Sequence, residues 1–502
     1  MNAQPWILAA TILGSSMAFV DSTVVNVALP ALQKNLGGTV VDLQWVVEAY
    51  ALFLGALILV GGSLGDLFGR RRMFLLGVAV FAAASMACGF AANIHLLITA
   101  RSVQGFGAAF LVPGSLSIIS ASFAEKDRGR AIGTWSGFTA ITSALGPVLG
   151  GWLIEHASWR WAFFINVPLA IAVLGISLWK VPESRNTIRA SVDWLGALIV
   201  TVGLGGVAYG LIESPSAGWG RPSIWGSLLI GAIFLAAFFW VESRASSPMV
   251  PLELFRSRDF GGANLLTLFL YAALAIFFFL FPLNLIQVQH YSAVATGAAA
   301  LPLILSMFLL SRWSGGLVAR YGPKRPLILG PFIAAAGFLL FAVPSVGGNY
   351  WRTFFPAFVV LGFGLAVSVA PLTTVIMNSV DQKRAGTASG INNAVSRIAG
   401  LLAIAALGVV MLGVFSAHLN RSLNSLPIPK AALTALEAGE IDLGAMAVPA
   451  GIDAAGAAII KVSIEQAFVF SFRVIMLICA ALSVAGALCA WKMVSVATSK
   501  RG

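Results

Sequence analysis

Fourteen separate runs of mostly apolar residues divide this 502-residue chain, and nothing else in it constrains the fold as strongly. They cover about 6–29, 43–64, 73–92, 97–123, 131–154, 161–179, 193–213, 224–242, 261–286, 294–319, 325–344, 352–379, 386–415 and 467–491. A membrane-crossing helix needs about 20 such residues, and in lipid a helix satisfies its own backbone hydrogen bonds. The expectation is an all-α membrane protein with 14 transmembrane helices. Composition agrees: 59% of residues are hydrophobic and 10% charged, against roughly 25% charged in soluble domains. That excludes a soluble globular domain, a disordered chain and a disulfide scaffold. The first run follows Met1–Pro5, is too long for a signal-peptide core and lacks a small-residue cleavage site, so it reads as an uncleaved span.

The net charge of +12 is distributed unevenly. With both termini placed inside, the inner segments hold 20 Lys and Arg: Arg70, Arg71, Arg72, Lys126, Arg128, Arg130, Lys180, Arg185, Arg189, Arg244, Arg256, Arg258, Arg320, Lys324, Arg325, Lys383, Arg384, Lys492, Lys500 and Arg501. The outer segments hold seven: Lys34, Arg160, Arg221, Arg352, Arg421, Lys430 and Lys461. Arg101, Arg312, Arg397 and Arg473 fall within spans. An inside excess of basic residues sets orientation. It accounts for the positive charge without nucleic acid and places both termini in the cytoplasm. Short compact loops suggest a bacterial inner membrane.

Several chemistries are excluded. No G-x-x-x-x-G-K-[ST] occurs, which argues against an ATP-driven pump in one chain. His95, His156, His290 and His418 are scattered, and Cys88, Cys479 and Cys489 sit in apolar runs, so neither a metal site nor an enzyme is expected. One outer loop, about 416–466, is long and carries Glu437, Glu440, Asp442, Asp453 and Glu465. It is either a solvated loop with short helices or a lid or docking element for an outer partner.

An internal repeat organises the chain. Gly62, Asp66, Gly69, Arg71, Arg72 and Gly77 correspond, at a constant offset of 253, to Gly315, Ala319, Gly322, Lys324, Arg325 and Gly330. Gly105-Phe106-Gly107 is echoed by Gly362-Phe363-Gly364. The expected organisation is a six-helix bundle (1–180), an inserted helix pair (181–245) and a second six-helix bundle (246–502). Duplicated bundles with a site between them are a transporter architecture.

Five patches then make the resemblance specific. They are Asp21-Ser-Thr23-Val-Val-Asn26-Val-Ala28-Leu-Pro30; the loop Gly62–Arg72; Arg101-Ser-Val-Gln104-Gly105-Phe-Gly107; Gly146-Pro147-Val-Leu-Gly150-Gly151; and Trp159-Arg160-Trp161-Ala-Phe163-Phe-Ile-Asn166-Val-Pro168. In this order and topology the chain resembles the major facilitator superfamily, within it the fourteen-span drug:proton antiporter branch. The resemblance covers essentially the whole chain. It implies a proton-coupled antiporter exporting hydrophobic or cationic small molecules by alternating access, of multidrug efflux type, with protons as the coupling ion and no other cofactor. The alternative is a dedicated carrier of one metabolite or lipid, which could run inward. Partners would be the small-molecule substrate and the bilayer; an outer adaptor protein has no support.

Residue by residue, the inner loop (Gly62, Asp66, Gly69, Arg70, Arg71) can pair a carboxylate with guanidinium groups at helix ends and latch two bundles in one state. Ala319 replaces Asp66 in the second copy, so such a latch is asymmetric. Proton coupling is assigned to Asp21, Glu48 and Arg101. At 1.5 Å rise per residue they lie roughly 22, 22 and 24 Å from the inner side, and a membrane charge usually faces a cavity or partner. Two carboxylates beside one arginine form a proton site whose members shift each other's titration. A fixed Asp21–Arg101 pair that only holds helices together is the structural alternative. Gly146, Pro147, Gly150 and Gly151, resembling the antiporter motif, permit close packing and a bend. Asn26, Gln104, Asn284, Asn392, Asn393 and Arg397 are candidate cavity-lining residues; the last three could equally make interhelical hydrogen bonds.

Overall fold

A computed structural model describes residues 3–185, 192–245, 248–381, 384–424, 428–449 and 452–495. Of the basic residues counted above, Arg189, Lys383, Lys500 and Arg501 lie outside them, as do the side chains of Lys126, Arg312 and Lys430. The described residues are helical, without a strand, and fourteen helices are long and apolar enough to cross a membrane.

The first six spans are α1 (Gln4–Leu36), α2 (Val40–Phe68), α3 (Arg70–Gly89), α4 (Ile94–Ser122), α5 (Glu125–His156) and a pair of segments, α6 (Trp161–Phe164) with α7 (Asn166–Lys180). The inserted pair is α8 (Trp194–Ala217) and α9 (Pro222–Glu242). The last six are α10 (Arg258–Leu283), α11 (Ala293–Ala299) with α12 (Leu301–Gly315) and α13 (Leu317–Tyr321), α14 (Lys324–Phe341), α15 (Phe354–Asn378), α16 (Ala385–Leu423) and α18 (Ala454–Met493), with the short α17 (Lys430–Gly439) before the last. The tenth span is broken where Pro302 enters the first turn of α12, a position that suits proline's missing N–H.

Local sequence sets the ends. Thr39 and Asp42 form a capping box at α2, and Asn93, Asp193, Ser257, Ser292 and Asp453 each accept a backbone N–H at the start of their helices. Gly69 and Gly322, paired by the 253-residue repeat, both take positive φ (112° and 76°) in the tight turns before α3 and α14, a conformation that favours glycine. The repeat extends to packing. A Cβ on Gly77 would lie 3.1 Å from the Gly107 carbonyl oxygen; one on Gly330 would lie 3.0 Å from that of Gly364. The α3–α4 and α14–α15 crossings are therefore the same glycine contact made twice.

The two sets of six helices meet at the end opposite the arginine-rich loops. There Pro147 and Gly151 of α5 press against Gly297 and Ala293 of α11, and the Val294 N–H donates to Glu155 (3.1 Å). Gln44 of α2 donates to the Ile404 carbonyl of α16 (3.0 Å), and Gln287 to Gln33 (2.9 Å). At the arginine-rich end α5 stands clear: Gly129, Gly133 and Gly137 have open space where a Cβ would point, as do Gly315 and Gly386. Between α5 and the second set the molecule is closed at the far end and, among the described residues, open at the arginine-rich end, while α2 and α16 stay in contact through Leu59 and Gly390. The inserted pair closes its flank. α8 packs on both α2 and α16 through Ile199, Val200, Leu204, Ala208 and Ile212, and Trp45 donates to Glu213 (2.7 Å).

The long loop is mostly helical. α16 runs eight residues past its expected end and α18 begins thirteen residues early. Between them Leu436, Leu443 and Met446 are buried, the Asp442 carbonyl accepts from Gln33 (3.4 Å) and Gly444 lies against Gln287. The segment caps the far end, in contact with α1, α2 and the second set of helices.

Candidate functional site

Asp21 of α1 is fully buried and saturated with donors. One oxygen accepts from Arg101 of α4 at 2.5 Å. The other accepts from Gln104 (2.8 Å) and from Asn166 of α7 (3.3 Å). Three donors around one group is the acceptor-only pattern of a carboxylate. Arg101, one turn before Gln104 on α4, also donates to the side-chain amide oxygen of Gln104 (2.7 Å) and to the backbone carbonyl of Val46 on α2 (3.0 Å). Its guanidinium lies 4.2 Å from the Tyr50 ring centroid, a favourable cation–π placement. Ser85 of α3 completes the cluster. It accepts from Gln104 (3.2 Å) and Asn166 (3.0 Å) and donates to the Phe163 carbonyl (2.9 Å). Five helices, α1, α2, α3, α4 and α7, are tied together through one ion pair.

Three of the expected placements need correction. Glu48 lies at the expected depth, two residues from Val46, yet it does not join the cluster. On α2, Val46 and Tyr50 face α4, and a residue midway between them points to the opposite side of the helix. Glu48 shares its stripe with Val41, Trp45, Leu52 and Ala56, which pack on α8 and α16. Its carboxyl is fully buried and neither oxygen has a hydrogen-bond partner among the described residues. Arg101 therefore has one carboxylate, not two. Gln104 does not line a cavity, because both ends of its amide are held inside the cluster. Asn284 is buried in a π turn at the far end of α10, where it accepts from Gln289 (3.5 Å).

The remaining candidates divide. Asn392 makes interhelical hydrogen bonds, donating to Asn264 (3.1 Å) and Thr267 (2.7 Å) of α10. Asn393 is exposed and donates to Ser389 of its own helix (3.0 Å). Asn26 is half-buried with no hydrogen bond to a described residue, and Arg397 is half-buried between α2 and α16. Ser85 and Asn166 escaped the sequence reading as site residues. Asn166 lies inside a family-like patch, so a signal for it existed; a serine in an apolar run gives none.

The inner loop forms an ionic knot with α4 and with the segment that follows α7. Arg70 pairs with Asp66 (2.8 Å) one turn earlier and donates to the Ser117 carbonyl (3.3 Å), while Gly62 passes Pro113 of α4. Glu183 accepts the backbone N–H groups of Arg71 (3.1 Å) and Arg72 (3.2 Å), where the helix dipole favours a carboxylate. Gly69 leaves room for it: a Cβ there would lie 2.7 Å from a Glu183 oxygen. Among the described residues, none of these side chains bonds to the last six spans, as fits an end that is open. In the antiporter-like patch, Gly146 and Gly150 abut Thr23 and Val24 of α1, whereas Pro147 and Gly151 abut α11. α5 is thus wedged between α1 and the opposite set.

The family model of the Major Facilitator Superfamily matches residues 11–404. The chain is 36% identical over 425 residues to the multidrug resistance protein Stp of Mycobacterium tuberculosis, covering 83% of this chain and 78% of that protein. It is 34% identical over 420 residues to the tetracenomycin C resistance and export protein of Streptomyces glaucescens, covering 82% and 77%. A crystal structure of a bacterial homolog of the human lysosomal transporter Spinster, inward-facing and unoccupied, superposes with a TM-score of 0.64 over 98% of both chains at 19% identity. Fourteen apolar helices, a duplicated glycine crossing, an arginine-rich turn and these likenesses converge: the chain is a multi-pass membrane transporter that belongs to the major facilitator superfamily and has antibiotic-resistance exporters among its relatives.

Proposed function

We propose that this protein is a proton-coupled antiporter that exports small amphipathic organic molecules by alternating access. It sits in the cytoplasmic membrane with its arginine-rich end and both termini inside, a reading supported by the 20-to-7 distribution of basic residues. The conformation described is then open to the cytoplasm. Two relatives whose names denote drug resistance support the outward direction of export.

The observation that carries the proton coupling is the fully buried Asp21–Arg101 pair, held across five helices. With three donors on Asp21, the inward-open arrangement suits the carrier after it has given up its proton. Protonating Asp21 neutralises the anion that anchors Arg101 and leaves a buried guanidinium under-paired, a costly arrangement. That cost is relieved if the five helices repack, which links proton loading to the change of state. Pro147 and Gly151 provide the far-end seal that prevents a proton leak.

In proteoliposomes with an imposed pH gradient, Asp21→Asn is expected to abolish gradient-driven transport while retaining equilibrium substrate binding. Gradient-driven transport at the parent rate would contradict the assignment and leave the pair with a purely structural role.

A further inference from the structure

Arg101 spends its donors on neighbours; the other arginine near the middle of the bundle does not. Arg397 lies on α16, 13 residues from Arg384 and so roughly 20 Å from the arginine-rich end. Its Cβ faces Gly55 of α2, 3.2 Å from where a Cβ there would stand. One turn on, Gly400 of α16 packs on Ala275 of α10, whose Cβ lies 3.2 Å from where a Cβ on that glycine would stand. Arg397 therefore sits where α2, α10 and α16 converge between the two sets of helices. The closed far end begins two turns away, at the Gln44–Ile404 hydrogen bond. Arg397 is half-buried and forms no hydrogen bond or ion pair with any described residue. A cation held unpaired inside a membrane bundle is expensive and usually marks a transport path.

The two carboxyl groups at this depth are committed elsewhere. Asp21 is saturated inside the first set of helices, and Glu48 points into the apolar packing of α8 and α16. A carboxylate facing the cleft would favour cationic cargo. Among the described residues the fixed charge that faces it is positive.

We propose that Arg397 binds an anionic oxygen of the cargo, a carboxylate, phenolate or enolate on an otherwise apolar molecule. This rests on the export reading and adds the charge class of the substrate. A guanidinium offers two parallel N–H donors to such an oxygen pair, and the open arginine-rich end gives cargo access from the cytoplasmic side. A lipid head group carries the same chemistry, so the test separates the two sources.

The test is equilibrium binding to the full-length protein in nanodiscs of zwitterionic lipid, with no proton gradient, read by fluorescence anisotropy. Two xanthene dyes of similar shape and opposite charge serve as probes, fluorescein (anionic) and rhodamine 123 (cationic). The parent is expected to bind fluorescein. Arg397→Gln weakens that binding tenfold or more, as loss of a charged hydrogen bond does, and leaves any rhodamine 123 binding within about twofold. Arg397→Lys restores most of it. Equal fluorescein affinity in parent and Arg397→Gln overturns the assignment, as does equal loss of both dyes or binding of rhodamine 123 alone by the parent. Displacement of fluorescein from the parent, but not from Arg397→Gln, by anionic lipid added at a few per cent places a head group at Arg397 and overturns the cargo assignment. Because no gradient is applied, failure here leaves the Asp21 reading standing, and failure of gradient-driven transport leaves this one standing.

Discussion

Two carboxyl groups at one depth in the bundle have opposite fates because of which way they point. Asp21 meets Arg101, Gln104 and Asn166; Glu48, on the far side of α2, meets none of them and has no partner. A buried carboxylate without a partner costs several kcal/mol, which the neutral acid avoids. Glu48→Gln, isosteric with that acid, is expected to retain thermal stability and gradient-driven transport near the parent level. Glu48→Lys is expected to cost about 2 kcal/mol or more, visible as a lower unfolding temperature in detergent. If Glu48→Gln lost coupling as completely as Asp21→Asn, the two carboxyls would share one relay after all. Depth was legible in the sequence, since helical rise is fixed and charges in apolar runs are conspicuous. Azimuth was not, because α2 is apolar all round and its stripe gives no contrast from which to orient Glu48. Ser85 was invisible for a related reason, a single hydroxyl at an ordinary helix contact.

Helices were read well where lipid imposes the pattern and poorly where it does not. The fourteen spans follow from hydropathy, and the tight turns from Gly69 and Gly322. The helical extensions of α16 and α18 into the 416–466 segment lacked that signal; alanine-rich sequence favours a helix without announcing one. The segment is a lid in the sense that Leu436, Leu443 and Met446 seat it over α1 and α2. Burial pushes the Asp442 carboxyl above its ordinary value, Gln33 opposing and Asp42 reinforcing the shift. The docked acid thus holds its proton more tightly than the undocked one. Docking carries no penalty below the ordinary carboxylate range and weakens as pH rises through the raised value. Amide exchange in residues 440–449, corrected for intrinsic rate, should accelerate as pH rises above the ordinary carboxylate range, and Asp442→Asn should flatten that dependence. Equal protection across the window in the parent would show that the carboxyl does not influence docking.

As a whole, the molecule is two glycine-braced sets of six helices joined at one end, with α8 and α9 clamped over the α2–α16 seam. The duplication was legible because the glycines that enforce the α3–α4 and α14–α15 crossings cannot be replaced without collision. Which end is closed was not legible, since the spacing of apolar runs does not say how the two sets of helices tilt against each other. The described state has its inner ionic knot, Asp66, Arg70, Arg71 and Glu183, confined to the first six spans and the segment just after them, and its far end sealed by Pro147, Gly151 and Gln44. On the proposed mechanism the Asp21–Arg101 pair changes partners when the sealed end changes. Proton movement evoked by cargo reads that exchange directly. Proteoliposomes carrying a luminal pH indicator, given a cargo gradient and no imposed pH difference, should show proton flow opposite to cargo with the parent protein and none with Asp21→Asn. Equal proton counterflow from the two proteins would contradict the coupling role of Asp21.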